Sequence, residues 1–390
     1  CLTEGKGREG NLQLSYANYV RSDIPAALAR LGVQKTIGRK EEAFLTVFDR
    51  RTKENGIATI GADKPGLRSC FTDKYTFSNV AKAKDADVFV YRKGNYNNSP
   101  DVYTTADRWA GEKKWSAINP QQKDYNWSNN RLVHWKAYDG TPLDGMLITP
   151  EDLDPNKKYP VLIYVYGGPG YQTVNNAWGH SDYFWMQLLA QHGIISVSIN
   201  NRGSGAQGEV FKKMTYLQLG KYETEDMITL AKYMAKQPYV DADHIGIYGW
   251  SYGGFMAANG ITKGADVIST AVSVAPVTNW RYYDNVYTER FMRTPQENPE
   301  GYDLNSPVHN TELIKGNYLL CHGSGDDNVH YQNAMELIKA MISNGKQFDL
   351  MIYPNKNHGI FGGYEYGKGE SRVHLFTKID NFLFEHLLGE

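Results

Sequence analysis

The 390-residue sequence predicts an α/β domain over residues 129–390, preceded by a β-rich segment over 1–128. Up to residue 128, apolar residues come in short alternating runs broken by Gly, Asn, Asp and Pro, the pattern of half-buried strands joined by turns. Beyond it, short apolar runs alternate with stretches at the helical period, which predicts a mostly parallel sheet with helices on both faces. The length also exceeds one typical domain and invites a division in two.

In the first region AFLTVFD (43–49), KYTFSNV (74–80), ADVFVYRK (86–93) and SPDVYTTAD (99–107) read as strands. SDIPAALARLG (22–32) fits a short helix capped by Ser22 or Asp23. In the second region RLVHWKAYDGTPLDGMLITP (131–150) reads as two strands around a Tyr-Asp-Gly turn. KYPVLIYVYGG (158–168), GIISVSIN (193–200), HIGIYGW (244–250), VISTAVSVA (267–275), GNYLLCHG (316–323) and QFDLMIYP (347–354) are the expected sheet strands. Helices are expected at DYFWMQLLAQHG (182–193), ending at Gly193, and at TEDMITLAKYMAKQ (224–237), where Met227, Leu230, Ala231 and Met234 follow the helical period.

Composition narrows the function classes. A formal net charge of -1 gives no electrostatic case for nucleic acid or an anionic membrane surface. Cys1, Cys70 and Cys321 are too few and too far apart for a disulfide framework or a metal cluster, so neither metal nor cofactor is expected. No apolar run is long enough to span a membrane. The chain starts at Cys1, without an initiating Met, and we expect a processed or truncated product.

One stretch carries chemistry. IYGWSYGGFM (247–256) sets Ser251 in a Gly-x-Ser-x-Gly motif between an expected strand and an expected helix. That context is what a nucleophile elbow requires, and it leads to the α/β-hydrolase fold. In such a turn Ser251 projects above the sheet, and the N–H of Tyr252 points at a developing oxyanion. The bland alternative is a glycine turn with an incidental serine. A serine nucleophile needs a base and an orienting acid, which in this fold follow it along the chain. The loop after GNYLLCHG offers Asp326 or Asp327, and NKNHGI (355–360) offers His358. His322 reads as a structural residue at a strand end, His330 as the start of a helix, and His374 as part of the C-terminal helix. Tyr166, closing the strand before GGPG, is either a second oxyanion donor or a packing aromatic.

These residues resemble the prolyl oligopeptidase family of serine peptidases, in its dipeptidyl peptidase IV branch. GWSYGG (249–254), VYGGPG (165–170), NRGSGAQG (201–208), APVTNWRYYDNVYTERFM (275–292), HGSGDDNVH (322–330) and NKNHGI fall in family order, and the tyrosine-rich segment is the most specific of them. The resemblance implies an α/β-hydrolase fold preceded by a partial β-propeller, with 1–128 as its last blades and 129–390 as the peptidase domain. It implies Ser251 as nucleophile, Asp326 as orienter and His358 as general base, with the Tyr166 hydroxyl and Tyr252 N–H as the oxyanion hole. It further implies that Tyr252, Val277, Trp280, Tyr283, Tyr287 and Val329 hold a proline at P1, the residue before the scissile bond. Asn328 falls near the substrate carbonyl. Without the resemblance, the tyrosines would read as surface or core aromatics.

The activity implied is release of Xaa-Pro or Xaa-Ala dipeptides from free peptide N-termini, by a homodimer. The alternatives are a tripeptidyl or oligopeptidase of the same family, or a non-catalytic binding homologue. Two departures stand out. Asn200 replaces the Asp usual before the Arg-Gly-Ser turn. The paired glutamates that hold the substrate amine in the branch have no match, and Glu41 and Glu42 read as a solvated charge run. The β-rich segment has room for two or three blades of 40–50 residues, fewer than a closed propeller needs.

Overall fold

The computed structural model describes residues 2–5, 12–17, 38–106, 109–179, 182–205, 207–361 and 370–390. The helix expected over 22–32 lies outside the described residues, as does Cys1. The chain divides into two compact units: 1–127 with 175–183 and 206–208, and the remainder from 128 to 390.

Among the described residues the first unit contains two four-stranded antiparallel sheets. One joins β1 (Leu12–Ala17), β2 (Glu42–Asp49), β3 (Asn55–Gly61) and β4 (Leu67–Asp73); the other joins β5 (Thr76–Lys82), β6 (Phe89–Asn95), β7 (Asn98–Ala106) and β8 (Ala110–Lys114). Each is a meander in which sequential strands pair, the size and connectivity of a propeller blade. Leu45, Val47, Ala58 and Ile60 fill the first sheet's core, and Phe71, Phe77, Phe89, Tyr91 and Trp109 form an aromatic cluster. The sequence reading missed β3, whose NGIATIG looks like turn chemistry. Glycine serves close packing there, because a Cβ on Gly56 would lie 1.7 Å from the Phe71 carbonyl oxygen. The expected strands at 74–80 and 86–93 sit two or three residues later.

The second unit is built on an eight-stranded sheet in the order β16-β15-β14-β13-β11-β12-β10-β9. β9 (Asn129–Lys136) and β10 (Pro142–Thr149) form an antiparallel edge hairpin. Its turn uses Gly140 at φ +85°, with the Asp139 carboxylate accepting the Thr141 N–H. β11 (Tyr159–Val165), β12 (Ile195–Asn200), β13 (Val240–Trp250), β14 (Thr270–Val274), β15 (Asn317–Gly323) and β16 (Asp349–Tyr353) are parallel. Their runs are apolar throughout because both faces are covered. On one face Val161, Ile163 and Val165 join the buried cluster formed with α2 (Tyr222–Ala235) and α3 (Tyr252–Lys263). On the other, Tyr164 stacks on Tyr248, whose ring meets Trp185 of α1 (Tyr183–Gln191), which also packs on Phe376 of the C-terminal helix (Glu370–Leu383). The chain winds outward from β11 in both directions, through β12 on one side and β13 on the other. The switch point where α/β sheets open a crevice therefore lies between β11 and β13. Among the described residues no helix is long and apolar enough to cross a membrane.

Candidate active site

Ser251 follows the last residue of β13 and precedes α3, at φ +61° and ψ −117°. A non-glycine residue at positive φ is strained and persists only where its surroundings hold it. Its N–H donates to the Val274 carbonyl at 2.8 Å and its carbonyl accepts the Phe255 N–H at 3.0 Å, which fixes the turn at both ends. The flanking glycines are required by close approach. A Cβ on Gly249 would stand 2.2 Å from the Gly253 carbonyl oxygen, and one on Gly253 would stand 2.2 Å from that of Val165. The tip of the turn thus sits at the β11–β13 switch point.

Asp326 and His358 come from the loops after β15 and β16. The Asp326 side chain is fully buried, and its Oδ2 lies 2.8 Å from His358 Nδ1. Its Oδ1 accepts the Asn328 and Val329 N–H groups at 3.0 and 2.9 Å. Burial alone would raise the Asp326 carboxyl, but hydrogen bonds from His322 and His358, the charge of His358 and the Asn328 N–H together hold it well below the usual carboxylate range. Asp326 is therefore a permanent acceptor at neutral pH, so His358 Nδ1 carries the proton and neutral His358 keeps its lone pair on Nε2. Asp327, the other candidate, is exposed and borders a cavity of about 590 Å³ with Arg281, Tyr282, Tyr283, Asp284 and Asn328. The backbone carbonyl of His358 accepts the Trp250 indole N–H at 2.9 Å, tying the His358 loop to the residue before Ser251.

His322 occupies a strand end, fully buried. Its Nε2 donates to the Val329 carbonyl at 2.8 Å and lies 3.3 Å from Asp326 Oδ2. Since a carbonyl can only accept, Nε2 holds the proton, and His322 braces the Asp326 loop from behind. His330 lies two residues ahead of the helix Gln332–Ser343, and His374 stands in the C-terminal helix against Tyr353.

The predicted aromatics gather at one place. The Tyr252 ring lies 5.2 Å from Trp280, 5.6 Å from Phe255 and 6.1 Å from Tyr166. Trp280 stacks on Tyr287 at 5.8 Å and meets Tyr283 edge-on at 5.7 Å, while Tyr283 and Tyr287 meet edge-on at 5.5 Å. Tyr252, Val277, Trp280 and Val329 are buried, so they form a floor against which the half-buried Tyr166, Tyr283 and Tyr287 pack. The Tyr283 hydroxyl donates to Asn328 Oδ1 at 2.7 Å, fixing that amide. Burial raises the Tyr166 and Tyr287 hydroxyls above the ordinary tyrosine value, so both remain neutral donors at any physiological pH.

Asn200 has a local task. Its Oδ1 accepts the N–H groups of Thr173 and Val174 at 2.9 and 3.0 Å, whereas its buried Nδ2 has no partner among the described residues. Glu41 and Glu42 are also engaged locally: Glu41 accepts the Gly38 N–H and Glu42 lies 3.8 Å from Arg68. Among the described residues no group of three or more His, Cys, Asp and Glu could hold a metal ion.

The sequence reading missed Glu223. Its carboxylate is fully buried in the first turn of α2 and accepts the Tyr252 hydroxyl at 2.7 Å. The signal was present: Glu223 continues the buried stripe of Met227, Leu230 and Met234 one turn toward the N-terminus.

The chain is similar to known proteins. The chain is 43% identical over 265 residues to a probable dipeptidyl-aminopeptidase B of Ajellomyces capsulatus, an alignment covering 67% of this chain and 28% of that protein. Among solved structures, dipeptidyl peptidase 4 of Porphyromonas gingivalis aligns with a TM-score of 0.78 at 33% identity, over 89% of this chain and 48% of that one. A putative dipeptidyl aminopeptidase IV of Bacteroides ovatus aligns with a TM-score of 0.80 at 30% identity, over 90% and 48%. The chain thus spans about half the length of these solved relatives and less of the curated one. Residues 180–390, which carry the serine elbow, the Asp326–His358 pair and the aromatic cluster, match the prolyl oligopeptidase family, and the chain belongs to it.

Proposed function

We propose that the chain acts as a serine exopeptidase that releases Xaa-Pro or Xaa-Ala dipeptides from peptide N-termini through an acyl-enzyme. The observation that carries this reading is the 2.8 Å bond between Asp326 Oδ2 and His358 Nδ1, on loops tied through Trp250 to the strained Ser251 turn. In this reading residues 1–128 are propeller blades and 129–390 the peptidase domain. His358 Nε2 takes the Ser251 proton as Oγ attacks the scissile carbonyl, then gives it to the leaving amine. The Tyr252 N–H and Tyr166 hydroxyl receive the oxyanion, each worth roughly 3–4 kcal/mol. Water enters, His358 again removes a proton, and the dipeptide leaves.

A flat, rigid pyrrolidine suits a slot walled by Tyr252, Trp280, Tyr283 and Tyr287, where rings fill volume with little loss of rotamer freedom. The relatives named for dipeptidyl peptidase activity support the release of dipeptides.

The test is cleavage of Gly-Pro, Ala-Ala-Pro and N-blocked Gly-Pro reporter amides, together with a fluorophosphonate probe. Ser251 is expected to label, Ser251→Ala to stay unlabelled, and free Gly-Pro to be the preferred substrate. Equal cleavage of the blocked substrate would replace the dipeptidyl reading with an oligopeptidase, and preference for Ala-Ala-Pro would replace it with a tripeptidyl one. A folded chain whose Ser251 does not react would leave a binding homologue.

A further inference from the structure

Glu223 is a carboxylate in a place where carboxylates are costly, and the mechanism above makes no use of it. Its side chain has no solvent contact, and among the described residues no cation lies in hydrogen-bonding contact with it. The ionisable groups that face it are Tyr252 and Lys263 of α3, Asp226 of its own helix, and Tyr287 of the helix Asn285–Met292. Lys263 is the basic member of this set, and its ammonium is spent on the Leu304 carbonyl and Asn305 Oδ1, both at 2.9 Å. A carboxylate buried without a paired cation is costly to take out of water, so its retention points to a task.

The geometry defines that task. One carboxylate oxygen accepts the Tyr252 hydroxyl at 2.7 Å, and the other accepts the Gly220 N–H at 3.1 Å. Gly220 itself touches the same aromatic group: a Cβ there would stand 2.6 Å from the Phe255 ring, which packs edge-on against both Tyr252 and Trp280. Glu223 therefore links the start of α2 to the one residue whose backbone follows Ser251 and whose ring walls the aromatic cluster.

We propose that Glu223 is a positioning residue that clamps Tyr252 by its hydroxyl, holding the Tyr252 N–H aimed at the oxyanion and the ring seated as the wall of the P1 slot. The inference rests on the peptidase reading above. It gives Tyr252 two functions through one anchor: transition-state stabilisation from the backbone, and discrimination of proline from smaller residues from the ring. Releasing the hydroxyl frees the ring and, through the strained elbow, tilts the N–H. A displacement of about 1 Å at a catalytic donor is worth on the order of 100-fold in rate.

The test uses the 390-residue chain with active sites counted by fluorophosphonate, comparing Glu223→Leu, Glu223→Gln and Tyr252→Phe on Gly-Pro and Gly-Ala reporter amides. Per counted site, Glu223→Leu is expected to lower kcat about 10- to 100-fold and to reduce the Pro-to-Ala preference at least about 5-fold. Glu223→Gln, which keeps an acceptor oxygen, is expected to stay within about 3-fold of the parent. Tyr252→Phe is expected to reproduce Glu223→Leu, and the double variant to add nothing to either. This keeps the proposal testable if the leucine variant folds poorly. A merely structural carboxylate would lower the number of titratable sites while leaving kcat and the Pro-to-Ala ratio per site unchanged, and that result overturns the clamp alone. A parent Ser251 that does not react with the probe overturns the peptidase reading and the clamp with it.

Discussion

Replacing Asp326 by asparagine separates the orienting role of its charge from its role in holding the loop. Oδ1 accepts two backbone N–H groups, at 3.0 and 2.9 Å, whereas Oδ2 meets His358 Nδ1 at 2.8 Å and His322 Nε2 at 3.3 Å. An asparagine keeps its oxygen toward the two backbone donors, because a flipped amide would set NH2 against both of them. Its Nδ2 then faces His358 Nδ1 and donates, driving the His358 proton to Nε2, where the mechanism needs a lone pair. The same Nδ2 faces the His322 N–H, donor against donor. The loss in kcat is expected to be on the order of 10³–10⁴, or about 4–5.5 kcal/mol at about 1.36 kcal/mol per tenfold. The folding penalty is smaller, about 1–3 kcal/mol, the worth of a charge-assisted bond made worse. Gly-Pro reporter hydrolysis, corrected for correctly folded protein by circular dichroism and urea midpoint, reads the two effects separately. Asp327→Asn is the control: its side chain is exposed and carries none of the Asp326 bonds, and it should stay within about 2-fold, as surface changes usually do. An Asp326→Asn variant retaining more than about a tenth of parental kcat, or an equal loss from Asp327→Asn, would refute the tautomer argument.

Tyr166→Phe removes one proposed oxyanion donor and keeps the ring contacts with Tyr171 and Tyr252, so kcat should fall about 10²–10³-fold with KM little changed; a rise in KM alone would make Tyr166 a packing residue. Gly249→Ala forces a methyl to 2.2 Å from a backbone oxygen, with no flexible side chain to yield. It should cost at least about 3 kcal/mol in urea unfolding, and a neutral result would mean that the elbow is looser than drawn. Burial lifts the Glu223 carboxyl from the ordinary 4.5 to about 7, against the hydrogen bonds from Tyr252 and Gly220. Between those values the folded chain keeps a proton that the unfolded chain has released, so this stabilisation is complete below pH 4.5 and lost as pH rises through 7. Relative to Glu223→Gln, the parent should lose about 3 kcal/mol between pH 4.5 and 8 in paired urea titrations, and parallel curves would place the carboxylate in water.

The candidate site was legible in the sequence wherever chemistry and chain order coincide. Ser251 sits between residues whose periodicity changes from strand to helix, and the order of Asp326 and His358 after it is that of the fold. The choice between Asp326 and Asp327 was open to residue pattern alone, because adjacent carboxylates differ only in which way a turn sends them. What settles their surroundings is the pair of N–H groups at 328 and 329 that draws Asp326 inward. β3 was illegible for a related reason: its glycines are there for backbone approach and resemble the glycines of turns. Sequence periodicity reports which face is buried. It does not report what a buried polar group touches, which is why Glu223, one residue before the expected helix at 224–237, went unread.

The placement of Glu223 also bears on why the elbow carries tyrosine after the serine. A phenylalanine there would supply the same backbone N–H and nearly the same wall for a proline ring, at no cost in buried polar atoms. The tyrosine hydroxyl is useful only if something buried accepts it, and a buried acceptor is tolerable only if something donates to it. Tyr252 and Glu223 therefore make sense as a pair and not singly. Removing either leaves the other a stranded polar group, whereas removing both can be nearly neutral for folding. A stability cycle and a kinetic cycle on the same four proteins thus separate two ideas. If the pair serves only packing, Tyr252→Phe with Glu223→Leu restores stability, and proline preference per site stays at the parental value throughout the cycle. If it serves positioning, stability returns and preference does not.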